Sequence, residues 1–192
     1  KKEFKNARCY TSSMDAQCVT AECAQSPDCY IAFRGSKSIQ EWMNNLNVSR
    51  TRMALKDCAV DKCPRVHAGF LKQYKSLEKR VDDEIQKCIA KNGKNCTICF
   101  TGHSLGGALA CLAAVDCAFK CPDCKIACCV FGSPRVGGDK FAKLCTTCLD
   151  DFRCYVNDDD PICALPFGYS PLPETYYVMG QGVLSKASTF NP

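Results

Sequence analysis

Apolar residues run through this chain in two rhythms. Four segments, 29–35 (CYIAFRG), 96–102 (CTICFTG), 125–134 (KIACCVFGSP) and 153–157 (RCYVN), are largely apolar and bounded by turn formers, which predicts buried strands. Between them the spacing changes. Phe70, Tyr74, Leu77, Val81, Ile85 and Ile89 recur at three- and four-residue steps and stop at Asn92-Gly93, which predicts an amphipathic helix over 69–91. Further helices are expected over 105–119 and from 139 to about 149. Strands apolar on both faces that alternate with helices make a mostly parallel α/β sheet with helices on both faces. Such sheets carry their working residues at the carboxyl ends of the strands, so Gly35-Ser36, Ser104, Gly132-Ser133 and residues 157–160 are expected along one edge.

A chain of 192 residues, 46% hydrophobic, is long enough for one domain with a real core, and 1–192 reads as a single unit, expected to be a monomer. The net charge of +5 is scattered among acids, as in Lys79-Arg80 before Asp82, Asp83 and Glu84, and forms no basic stripe; nucleic-acid binding is not indicated. No apolar run approaches the roughly 20 residues that span a bilayer. The chain opens Lys1-Lys2-Glu3, without methionine or an apolar leader, and reads as a processed or trimmed product.

One strand-to-helix junction is chemically distinctive. Within CFTGHSLGGALACLAA, residues 99–114, the run Gly102-His103-Ser104-Leu105-Gly106 fits the G-x-S-x-G nucleophile elbow, with the strand before and helix after that give this short pattern its meaning. A side chain at either glycine would strike the strand or the helix, and Gly107 and Ala108 let the helix lie close. Ser104 is therefore the expected nucleophile, forming an acyl-enzyme with an ester. His103 is expected to point away from the hydroxyl and to serve as a packing residue.

Five blocks in order, IAFRGSKSIQEWMNNL (31–46), VHAGF (66–70), FTGHSLGGALA (100–110), FGSPRVGG (131–138) and NDDDPICALP (157–166), resemble the fungal-type (class 3) lipases of the α/β-hydrolase fold. The resemblance implies a carboxylic-ester hydrolase for acylglycerols or related lipid esters, working without a cofactor at a lipid–water interface. It makes Ser104 the nucleophile and Asp160 the acid of the triad, with Asp158 and Asp159 close enough to leave that choice open by a residue or two. The oxyanion donors it implies are the Leu105 N–H, at a helix N-terminus, and Ser36; losing one such donor typically costs about 2.7–4 kcal/mol of barrier stabilisation. The following segment sets Ile39, Trp42, Met43 and Leu46 on one helical face and Gln40, Glu41, Asn44 and Asn45 on the other. The family uses this position as a lid, although a short amphipathic helix also fits permanent packing.

The pattern departs from the family at the base. The resemblance places the histidine in a Tyr-x-His-x-Gly stretch, and here Tyr176-Tyr177-Val178-Met179-Gly180 sets Val178 at that position, with no histidine after His103. Loss of a triad member costs a factor of about 10⁴–10⁶ in turnover. Three readings stay open: the histidine is lost, leaving a silent lipid-binding or interaction protein; the base lies in sequence outside this chain; or His67 of VHAGF substitutes for it. Phospholipase and feruloyl-esterase activity are also open.

Nineteen cysteines and the sequons Asn47-Val48-Ser49 and Asn95-Cys96-Thr97 fit an oxidising, secretory compartment; buried thiols in a reducing cytosol are the alternative. Cys121-x-x-Cys124 and Cys145-x-x-Cys148 should both lie at the amino edge of the sheet, opposite Ser104, as disulfide staples or, less favoured, as a four-cysteine zinc site.

Overall fold

The computed structural model describes residues 3–36, 48–157, 159–179 and 183–186. Ten strands are present among them: β1 (Phe4–Thr11), β2 (Gln17–Cys23), β3 (Cys29–Phe33), β4 (Arg50–Arg52), β5 (Arg65–His67), β6 (Thr97–His103), β7 (Lys125–Phe131), β8 (Asp151–Asn157), β9 (Thr175–Met179) and β10 (Val183–Lys186). The helices are α1 (Ala68–Asn92), α2 (Leu105–Lys120) and α3 (Asp139–Thr147). Eight strands form one sheet in the order β1-β2-β3-β6-β7-β8-β9-β10, while β4 and β5 pair as a separate ribbon. The five strands from β3 to β9 are parallel, and β1, β2 and β10 extend the sheet with antiparallel pairings. This is the mostly parallel central sheet of the α/β-hydrolase fold. The four strands and three helices anticipated from the apolar rhythm all form, within a few residues of their expected ends.

The order of the parallel strands fixes where the helices go. Each crossover steps one way along the sheet, and right-handed connections that all step in one direction place their helices on one face. Glu84 of α1 lies against Thr20 of β2, Gly107 of α2 lies on Ser133, and Cys145 of α3 sits beside Cys111 of α2 and Cys154 of β8. Ile31, Ile98, Phe100, Ile126, Val130 and Val156 are buried beneath them. The expectation of helices on both faces is therefore met on one face only among the described residues. Tyr30, Ala32, Cys99, Thr101, Ala127 and Cys129 alternate with the buried set and are half-buried; being small or apolar, they made their strands read as two-sided. On that second face Phe131, Tyr155 and Tyr176 stack in register, with ring centroids 5.6 and 5.5 Å apart.

The cysteines pack rather than bridge. Cys124 and Cys148 do line one cavity of about 300 Å³ at the amino edge. However, Cys145 is tucked fully into the core under α3, and Cys121 turns towards Gln86 of α1, so the four sulfurs of the zinc reading do not converge. No group of histidine, cysteine, aspartate or glutamate among the described residues is placed to hold a metal. The described residues include all nineteen cysteines, and no disulfide joins any of them.

α1 and α2 are clamped by one cation. Lys120 Nζ donates to Asp116 at 2.7 Å, Asp82 at 2.7 Å and Glu78 at 2.8 Å, and the buried Tyr74 hydroxyl donates to Asp116 at 2.6 Å. Burial disfavours the Lys120 ammonium, but the three carboxylates outweigh it and hold its pKa above the ordinary value. A raised folded pKa means that this stabilisation is complete below the unfolded lysine value of about 10.4 and fades as pH rises through the higher folded one. Lys120→Met leaves the buried Asp116 charge without its closest cation and is expected to lower unfolding free energy by about 3 kcal/mol in urea titrations at pH 7.

Candidate active site

The junction of β6 and α2 carries the strongest local constraint at the carboxyl edge. Ser104 adopts φ 54° and ψ −126°, a positive-φ conformation that a side chain makes costly. Its N–H donates to the Phe131 carbonyl at 3.0 Å, and its own carbonyl accepts from the N–H of Gly107 at 2.9 Å, so the turn is tied to β7 on one side and starts α2 on the other. A Cβ on Gly102 would overlap the Gly106 carbonyl, and one on Gly106 would overlap the Phe33 carbonyl of β3. The Ser104 hydroxyl caps no N–H of α2, unlike the usual serine at a helix start. Leu105 is buried directly after it, with its N–H in the first turn of the helix.

Ser36 and Asp160 come to the same edge. A Cβ on Gly35 would lie 2.8 Å from the His103 carbonyl and 3.7 Å from Ser104 Cβ, so the chain entering Ser36 runs against the elbow. Asp160 follows the end of β8. Its Oδ1 accepts from the Ile162 N–H at 3.0 Å, capping the short 3-10 turn Pro161–Ala164. Its Oδ2 occupies the space a side chain would need at Gly132, 2.9 Å from an ideal Cβ there, and Gly132 has φ +53°. Asp159 is an exposed turn residue, and Asp158 lies outside the described residues. Cys163 carries no signal in the sequence, yet its thiol points at Asp160 Oδ2 at 3.8 Å. Burial and then that carboxylate push the Cys163 thiol up to about 12, which keeps it a proton donor. Ser133 is buried beneath α2 and donates to the Pro134 carbonyl, a packing role.

The two histidines are placed differently. His67 caps α1: its Nδ1 accepts from the Phe70 N–H at 3.2 Å, and its ring stacks on Phe70 at 4.0 Å. That spends the lone pair a base would need on holding a helix. His103 departs from the packing role expected of it, because it is exposed and its Nε2 borders the Gly132 space that Asp160 also faces.

Val178 is also displaced from the nucleophile. It pairs with Asn157 in β9, on the second face of the sheet with Tyr176. β9 lies three strands from β6, and at about 4.8 Å per strand this puts residue 178 roughly 14 Å across the sheet from the elbow. Residue 178 is thus separated from the elbow by β7 and β8. The lid residues Ile39, Trp42, Met43 and Leu46 lie outside the described residues.

A family model described as Lipase (class 3) matches residues 30–170. A secreted mono- and diacylglycerol lipase A of Penicillium cyclopium is 32% identical over 152 residues, covering 77% of this chain and 47% of the relative. A chloroplastic phospholipase A(1) of Arabidopsis thaliana is 33% identical over 150 residues, covering 72% of this chain and 34% of its own length. The solved triacylglyceride lipase of Rhizomucor miehei superposes with a TM-score of 0.79 at 25% identity, over 92% of this chain and 66% of that one. This chain thus spans about half the length, or less, of these curated relatives.

Two substitutions probe the edge. Gly132→Ala sets a Cβ against Asp160 at a positive φ and is expected to cost about 1–3 kcal/mol of stability in urea melts. Val178→His is expected to leave ester turnover within about twofold of the parent, whereas a base placed at the nucleophile would raise it by orders of magnitude.

Proposed function

The chain belongs to the class 3 lipase family, and on that premise we propose that it carries the nucleophile, the triad acid and the oxyanion hole of a carboxylic-ester hydrolase. The observation that supports this most is the strained Ser104 elbow, buried at a sheet edge where Gly132 leaves room for Asp160. Ser104 Oγ attacks an ester carbonyl and gives its proton to an imidazole. Charge then develops on the carbonyl oxygen, where the Leu105 N–H and Ser36 stabilise it. Collapse expels the alcohol and leaves acyl-Ser104, which water hydrolyses by the same steps in reverse order. Asp160 orients the imidazole and stabilises its charged form.

The matched stretch makes up 47% of the Penicillium relative and 34% of the Arabidopsis one, and we assign the imidazole to polypeptide outside the 192 residues. The substrates proposed are acylglycerols or related lipid esters, in line with relatives named for mono- and diacylglycerols and for phospholipids. The protein works as a secreted monomer at a lipid–water interface.

Added imidazole tests this directly, because a diffusible base can stand in for one the chain does not hold. Hydrolysis of p-nitrophenyl butyrate by this chain is expected to rise with imidazole concentration, after subtraction of the protein-free rate, and to be abolished in Ser104→Ala. Asp160→Asn is expected to change this rescued rate far less than Ser104→Ala, since the free base needs no orienting. Equal rates for the parent chain and Ser104→Ala at every imidazole concentration would support the silent lipid-binding protein instead.

A further inference from the structure

At the edge of the sheet opposite Ser104, the end of α2 presents two cysteines one turn apart. The Cys121 N–H donates to the Cys117 carbonyl at 2.8 Å, which stacks residue 121 on residue 117 and brings the two side chains to one side of the helix end. From α1, Gln86 Nε2 donates to the same sulfur at 3.7 Å. The pair opens onto a cavity of about 280 Å³ between the two helices, which Lys56, Asp82 and Gln86 also line. Cys117 is buried and Cys121 half-exposed, so one sulfur meets solvent and its partner waits behind it.

We propose that Cys121 is a thiol-exchange site, with Cys117 as its resolving partner, for a small-molecule disulfide of the glutathione type. The Cys121 thiolate attacks one sulfur of the incoming disulfide, breaking its S–S bond and releasing one thiolate. That leaves a mixed disulfide on Cys121. Cys117 then loses its proton to water and attacks Cys121 Sγ, forming the Cys117–Cys121 bond and releasing the second thiolate. The protein pair is oxidised by two electrons, and one small disulfide is reduced to two thiols. Cys117 keeps its proton beside a negative sulfur; once the mixed disulfide removes that charge, the stacking of the two residues aims its own sulfur at the bond to be broken.

The surroundings favour this sulfur over the others. The Cys117 hydrogen bond is the largest influence on it, partial burial opposes it, and the Gln86 amide and Lys120 assist against Asp82; the outcome is a thiol lowered to about 7. Burial pushes Cys18, Cys96 and Cys154 up to about 12, and Cys111 and Cys145 well above the ordinary thiol value. Attack on a disulfide is fastest for a thiol whose pKa lies near ambient pH.

The test uses the folded, reduced chain and a brief pulse of iodoacetamide at pH 7, with labelled peptides counted by mass. Cys121 is expected to label at least about fivefold faster than the exposed Cys9, with a midpoint near pH 7 rather than the usual value of about 8.5. With oxidised glutathione, the parent chain is expected to form a Cys117–Cys121 linked peptide, and Cys117→Ser to accumulate glutathione on Cys121. Labelling of Cys121 no faster than Cys9 would overturn the proposal without any variant. So would glutathione distributed over other cysteines in Cys117→Ser.

Discussion

The first turn of α2 lies so close to the ends of β3 and β6 that no side chain fits between them at Gly102 or Gly106, and the arrangement of the carboxyl edge depends on that approach. A chain leaving β6 in the extended conformation could not start a helix in so short a space without reversing its backbone. Ser104 absorbs the reversal at φ 54°, a strain of about 1–3 kcal/mol. What offsets the strain is the bond from Ser104 N–H to Phe131 and the near-complete burial of α2 from Leu105 to Cys117. The consequence is chemical as well as structural. The serine projects at the edge with its hydroxyl uncommitted to capping, and the Leu105 N–H follows at the positive end of a helix. Gly35 extends the same logic, since only its missing side chain lets the chain before Ser36 pass the His103 carbonyl.

The single direction of the crossovers organises the rest. With α1, α2 and α3 on one face, the two edges of the sheet are separated by the length of the strands and differ in character. The carboxyl edge holds strained backbone, glycines and a capped carboxylate. The amino edge holds helix ends, ion pairs and thiols, among them Cys117, Cys121, Cys124 and Cys148. The serine elbow and the thiol pair therefore lie at opposite edges of one sheet without their groups meeting. The Lys120 cluster with Glu78, Asp82 and Asp116 joins the two regions, because it fixes α2 against α1 close to Cys121 and so also sets the helix whose other end begins at Ser104.

The parallel strands and the serine elbow are legible in the sequence because each has a signal confined to a short window. Continuous apolar runs mark buried strands, and G-x-S-x-G between a strand and a helix marks Ser104. Asp160 was legible only to within a residue or two; what separates it from Asp159 is the bond to the Ile162 N–H and the empty space at Gly132, neither of which has a spacing rule. Val178 stands at the expected histidine position along the chain, but a motif offset says nothing of how many strands lie between two residues, and here β7 and β8 intervene. The hairpin β1–β2 was missed for a different reason. β1 is an edge strand exposed along nearly all its length, so its residues lack the apolar run that betrays a buried strand. The Cys117–Cys121 pair was obscured by the more familiar C-x-x-C spacing beside it, though a four-residue step at a helix end stacks two side chains equally well.

A crystal structure of the chain after reaction with an alkyl phosphonate ester tests the central claim most directly, because the phosphonyl oxygen stands where the oxyanion forms. The elbow predicts a covalent bond to Ser104 Oγ, with that oxygen about 3 Å from the Leu105 N–H and from Ser36. A bond to any other residue, or a phosphonyl oxygen turned away from both donors, would contradict it.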